Sequence, residues 1–332
     1  MSAHIKDSGS WKEIYKKETM LGDTLVRLYK GLQKYDGSWK MFFVDGVYGF
    51  FGGGGGSDVI DYIDTTIIAA IDAVDRGNLT ENVEGLAGAS GPIYGFYAGG
   101  YSDHYRNEIE YINKNTTFGN ATDGGDLTVA RGYFAGVSGS AYGFFGGGTT
   151  GTIRNYIDYI DITSITGNAT DSGDLTVARR HLGGVSGSVY GFFGGGTTGL
   201  YSNVIDYIDM TSITGNATDR GNLTVARGFL GGVSGSVYGF FGGGYTGDRS
   251  NVIDYIDTSI TTVVNAVDRG NLTVARSDLT GVSGYKYGFY AGGGTGIASD
   301  VIDYIDTSIT TVINAVDRGN LTVARDKLTG VS

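Results

Sequence analysis

The chain repeats itself with a period close to 48 residues. Tyr-Gly-Phe triplets begin at Tyr48, Tyr94, Tyr142, Tyr190, Tyr238 and Tyr287, at spacings of 46, 48, 48, 48 and 49 residues. Each triplet opens a unit of common order: "YGFFGGG" or a relative, "VIDYID" or a relative, a polar stretch ending in "NLTVAR", "DLTVAR" or, in the first unit, "NLTENV", and "LGGVSG" or a relative. A period of this length restricts the chain to an architecture in which one supersecondary unit recurs and each copy buries its apolar face on the next.

Each unit reads as four strands. "LGGVSG" and "VYGFFGG" are short apolar runs separated by Gly-Ser, which suits a tight hairpin, and they form the better-buried pair. "VIDYID" is β-branched and aromatic but carries alternate carboxylates, and the stretch through "DRGNLTVAR" is the most polar, as an outermost strand is. Within it Asp268-Arg269-Gly270-Asn271 reads as turn punctuation, with Gly free to take a positive φ. Sixty glycines among 332 residues, beside 24 Tyr and 15 Phe, fit this reading: glycines let the inner strands crowd an axis and the Phe pairs fill the space between sheets. A single proline excludes collagen and proline-rich linkers.

The expected fold is therefore all-β: a six-bladed β-propeller over residues 47–332, with a stacked β-solenoid as the competing architecture. The array opens at Val47-Tyr48 on the second strand of the pattern and breaks off at Leu328-Thr329-Gly330-Val331-Ser332 on the first. In a ring that last strand completes the first blade, whereas an open solenoid leaves it unpaired. Residues 1–46 lie outside the period and carry a doublet, Asp7-Ser8-Gly9-Ser10-Trp11-Lys12 and Asp36-Gly37-Ser38-Trp39-Lys40, that holds both tryptophans. Each copy reads as a hairpin turn entering a strand. A segment this small buries little area, so it is read as an attachment segment that docks through Trp11, Lys12, Trp39 and Lys40.

With the strand order assigned, "LGGVSGSVYGFFGGG…NVIDYID" resembles the kelch repeat, though the tryptophan usual in the fourth kelch strand is absent. The phrasing "NVIDYID…TGNATDRGNLTVAR…GVSG…YGFFGGG" is similar to repeat arrays in predicted tail and fibre proteins of tailed bacteriophages, and the "DGSWK" segment resembles short modules of phage structural proteins. This resemblance implies a virion component of the tail or a surface appendage. It would be held to other virion proteins by residues 1–46, with the propeller displayed outward.

Composition limits the chemistry. Without cysteine there are no disulfides, thiolate metal sites or cysteine nucleophile. No 18-residue apolar run or signal-like h-region appears, so neither membrane insertion nor a secretory signal is expected. The eight Asn-X-Ser/Thr sequons, such as Asn78-Leu79-Thr80, are read as turn chemistry. Residues 1–46 carry 8 basic and 6 acidic side chains, leaving 16 basic against 29 acidic in 47–332, a net charge of −13 that repels nucleic acid.

No catalytic constellation stands out. His4, His104 and His181 are scattered, form no metal-ligand spacing and are read as surface residues. The "GGG" runs lack the Gly-Lys-Ser/Thr ending of a phosphate loop, and "IDYID" is an extended strand rather than a calcium loop. No metal, cofactor or enzymatic activity is expected. Five arginines, Arg131, Arg179, Arg227, Arg276 and Arg325, recur once per unit and are expected to pair with the repeated aspartates Asp61, Asp158, Asp206, Asp254 and Asp303 or their neighbours three residues on. The first unit has Val83 at the arginine position and the second has Glu110 and Asn113 for its aspartates, which suggests that these blades face the N-terminal segment or a neighbour.

Variation between copies concentrates in the loops after each glycine run, all on one face of a propeller. Tyr101, His104, Tyr105, Arg106, Tyr201, Tyr245, Asp248 and Arg249 supply aromatic planes and hydrogen-bonding groups suited to a glycan or protein surface. The expected function is a non-enzymatic virion structural protein for host-surface recognition, compatible with an oligomer. The alternatives are a purely structural decoration protein of the capsid or tail, a glycan-active propeller enzyme, and a cellular kelch-type adaptor.

Overall fold

The chain forms two compact units, 1–46 and 47–332. The computed structural model describes residues 48–332 apart from Thr166, together with the backbone of five strands between residues 3 and 43. In the first unit Ala3–Asp7 pairs antiparallel with Ser10–Ile14, and Thr24–Tyr35 pairs with both Lys16–Leu21 and Ser38–Phe43. The side chains of Trp11, Lys12, Trp39 and Lys40, proposed for attachment, lie outside the described residues.

The second unit is a six-bladed β-propeller of four-stranded antiparallel sheets. Blade four shows the plan, from the axis outward: Gly183–Ser186, Tyr190–Gly194, Val204–Asp209 and Thr218–Asn222. The first blade takes its innermost strand, Thr329–Val331, from the far end of the sequence and pairs it with Tyr48–Gly52, so the ring closes with no free inner edge.

Alternation along the second strand builds the layers between blades. Phe192 faces one way and shares a core cluster with Phe241 of the next blade, while Phe193 faces the other way and packs with Phe144 of the blade before. The glycine after each such pair is a consequence: a Cβ on Gly194 would stand 2.7 Å from the Phe241 ring. The innermost strands crowd more severely. Gly88, Gly136, Gly184, Gly232, Gly281 and Gly330 form a closed ring in which a Cβ on each would lie 1.9–2.4 Å from the carbonyl oxygen of the preceding one. Only glycine permits six strands to meet at this radius.

One local expectation fails. Asp-Arg-Gly-Asn is not a turn but the outermost strand, as in Val267–Asn271, and "LTVAR" is the connection to the next blade rather than strand. The glycine does have a positive φ, +134° at Gly270, because the outer pairing carries a β-bulge between Ile253 and Asp254.

The repeated arginines seal the blades. Arg131, Arg179, Arg227, Arg276 and Arg325 are buried and pair with Asp158, Asp206, Asp254, Asp303 and Asp61 at 2.7, 2.7, 3.1, 2.9 and 2.9 Å. Each joins the connection leaving one blade to the third strand of the next. In this order the partner of position 83 is position 110. The Val83 and Glu110 departures are thus two halves of one junction that has lost its guanidinium. Glu110 there keeps the Thr80 amide and hydroxyl as donors, and burial pushes its carboxyl upward.

Candidate functional site

Two further rings close around the axis, one at each end of the innermost strands. At the C-terminal end the amide of Ser90, Ser138, Ser186, Ser234, Ser283 and Ser332 donates to the hydroxyl of the next serine at 2.8–3.2 Å, and the last returns to Ser90. At the N-terminal end Gly85, Tyr133, His181, Phe229, Asp278 and Lys327 form a ring of backbone bonds of 2.7–2.8 Å, each amide donating to the carbonyl of the residue before it.

Every residue of this second ring is left-handed. Tyr133, His181, Phe229, Asp278 and Lys327 have φ between +56° and +61°, and Gly85 has +67°. Side chains other than glycine cost about 1–2 kcal/mol each in this region, and the closed hydrogen-bond ring holds them there. In a molecule built by repetition, six equivalent positions carry five different side chains and a glycine on one backbone conformation, each just before the Leu or Phe that lines an axial cavity of about 110 Å3, whose opening is here called the channel mouth.

The mouth groups interact. The His181 ring stacks on Phe229 with centroids 3.9 Å apart and meets Tyr133 at 4.7 Å. Glu84 Oε1 accepts from the Tyr133 hydroxyl at 2.6 Å and from Lys327 Nζ at 2.9 Å. Burial, reinforced by Arg180 and Lys327, pushes the His181 imidazole down to about 3, so it is neutral. Burial raises the Asp278 carboxyl to about 6 against the Ser277 hydroxyl that donates to it at 2.9 Å. Burial and then the Glu84 hydrogen bond raise the Tyr133 phenol, which stays protonated and acts as a donor.

The loops singled out from the sequence flank this mouth. Tyr101 bridges to Glu84, Thr197 to Arg180 and Tyr245 to Gly228, each pairing with the residue just before a ring member. Tyr101 and Tyr105 meet edge to face at 5.1 Å, and Tyr201 and Tyr245 at 5.8 Å. Arg106 is engaged by Glu81 at 2.8 Å and Glu108 at 3.1 Å, and Arg249 donates to the Gly294 carbonyl at 2.9 Å. His104 is exposed and touches Asp103 at 2.5 Å, while Asp248 is exposed at its loop tip.

One expectation needs correction: His181 is not a surface histidine. Glu84, Tyr133 and Lys327, none of them repeated between units, are in hydrogen-bond contact at the mouth. Sequence reasoning passed over the ring because each member is only the second of two residues between "VAR", or "ENV" in the first unit, and the "LGG"-like run. The usable signal was variability inside an otherwise constant frame. Among the described residues no group of three or more His, Asp or Glu side chains is placed to hold a metal ion, and no helix is long and apolar enough to cross a membrane.

Fold and site together define a six-bladed β-propeller with a specialised channel mouth. Among solved structures the chain is similar to YjhT, with a TM-score of 0.63 and 12% identity over 78% of this chain and 92% of that one; at such identity the likeness is one of fold. No protein-family profile matches the chain, and no curated protein matches it.

Proposed function

We propose that this protein is a non-enzymatic recognition propeller that binds a saccharide or a protein loop at the channel mouth. In this reading it is a kelch-like component of a phage tail or surface appendage, held there by residues 1–46. The single observation that carries the binding site is the ring of dissimilar side chains on strained left-handed backbone within a repeated scaffold. Stacked rings at His181 and Phe229 offer apolar planes to a sugar face, and Tyr133, Glu84, Asp278 and Lys327 offer donors and acceptors around them. The phage assignment rests on the repeat phrasing and on the "DGSWK" doublet.

A glycan-active enzyme is the second reading, favoured by one observation: the Glu84–Tyr133–Lys327 cluster lies beside the Asp278 carboxyl, which burial pushes up to about 6. Against it, a phenol held protonated is a poor nucleophile.

The test applies the full chain to a glycan array and to host cells, alongside Phe229→Gly and His181→Asn, replacements compatible with left-handed backbone. Loss of retention with no fall in Tm supports the mouth as the site. Undiminished retention by both variants overturns it. Any change in a bound saccharide followed by NMR would favour the enzyme, and absence of the protein from purified particles would remove the virion assignment.

A further inference from the structure

A second arginine position lies in the outermost strand and faces the groove between blades. At four of the six junctions it is filled, by Arg76, Arg220, Arg269 and Arg318, all buried. Each guanidinium makes the same contacts. Arg220 donates to the Val264 and Asp257 carbonyls at 2.5 and 3.0 Å, Arg269 to Ile313 and Asp306 at 2.7 and 3.0 Å, and Arg318 to Ile71 and Asp64 at 2.7 and 3.2 Å. Arg76 repeats this with Gly119 and, at 3.1 Å, Asn113. Beneath them lie Phe50, Phe192, Phe240 and Phe289, 5.5–5.8 Å from the guanidinium carbon.

Blades two and three lack the arginine and have Gly124 and Ser172 in its place. The register is unchanged: the Gly167 and Gly215 amides donate to the Gly124 and Ser172 carbonyls as the Val264 amide does to Arg220. The receiving groove therefore remains without its occupant. Cavities of about 190 and about 440 Å3 open at these two junctions, floored by Phe96 and Phe144 and edged by Asp161, Gly167, Asp209 and Gly215. Asp161 and Asp209 are exposed here, whereas Asp64, Asp257 and Asp306, beside an arginine, are half-buried.

We infer that these two grooves are binding sites for a guanidinium group supplied from outside the propeller. The carbonyl pair matches the fork of a guanidinium better than a single ammonium, the aromatic floor favours a flat cation, and the adjoining carboxylate with the −13 body excludes anions. The guanidinium could be that of a free arginine-like solute or of an arginine side chain on a partner protein. The site is on the outer rim and does not depend on the channel mouth.

The experiment is a thermal-shift and calorimetric titration of the full chain with L-arginine amide, L-lysine amide and the peptide Gly-Arg-Gly at matched ionic strength. A saturable rise in Tm with arginine amide and little with lysine amide is expected, and it should be reduced in Ser172→Arg, which fills the larger groove from within. Response to the peptide but not to the amide assigns the site to protein-borne arginine, and response to both assigns it to the free solute as well. Arg220→Ser, which opens a third groove, should lose Tm and regain part of it in arginine amide. Equal responses to lysine and arginine amides, or no rescue of Arg220→Ser, would overturn the inference, including where Ser172→Arg fails to fold. Phe229→Gly should leave every response unchanged, which separates this site from the channel mouth.

Discussion

The serine ring and the channel-mouth ring are the two ends of the same six strands. Both close by hydrogen bonds around the full circle, yet one has identical residues at all six positions and the other has six different ones. The reason lies in which atoms do the bonding. In the serine ring the acceptor is a side-chain hydroxyl, so each copy must keep it. At the mouth donor and acceptor are both backbone, so ring closure leaves the side chain free to vary. Repetition marks where the fold uses a side chain, and divergence marks where it uses only the main chain.

The largest effect should come from the repeated interior. Asp254→Asn leaves the Arg227 guanidinium buried without its carboxylate and should lower stability by about 3–5 kcal/mol in chemical denaturation, whereas Glu110→Gln, at the junction without a guanidinium, should cost far less. Equal losses would mean that the arginine pairs do not seal the blades. Gly232→Ala drives a Cβ to 1.9 Å from the Gly184 carbonyl and should cost about 3 kcal/mol, because the closed ring cannot yield.

Between the two rings the contrast should reverse sign. Ser186→Ala orphans the Ser138 amide and should cost about 1–2 kcal/mol, while Phe229→Gly relieves left-handed strain and should be neutral or stabilising by about 1 kcal/mol. A large loss from Phe229→Gly would mean that its stacking on His181 serves the fold.

The smallest effect is a pair of opposed pH dependences at the mouth. His181 is depressed from 6.5 to about 3, so its contribution is present above about pH 6.5 and is lost as pH falls toward 3. Asp278 is raised from 3.8 to about 6, so its contribution is present below about pH 4 and is lost as pH rises through 6. Stability measured against pH should therefore fall less steeply in acid for His181→Asn, while Asp278→Asn should gain stability at pH 7. Parallel changes in the two variants would show that the mouth is wetter than its geometry implies.

Much of the architecture was legible in the chain. The spacing of the Tyr-Gly-Phe triplets set the number of blades, the Phe pair of "YGFFG" marked the filling between neighbouring sheets, and the arginine and aspartate recurring in five units announced a pair. These are local patterns, and a repeat multiplies each of them six times. The segment Asp268-Arg269-Gly270-Asn271 has the composition of a turn, and only pairing against Val252–Asp257 with a bulge makes it strand. The joint meaning of Val83 and Glu110, the gathering of Glu84, Tyr133, His181, Asp278 and Lys327 at one mouth, and the two grooves without arginine became visible only in three dimensions. Each brings together residues of different repeats, and periodicity specifies what a unit contains but not which side chains from separate units the closed ring sets face to face.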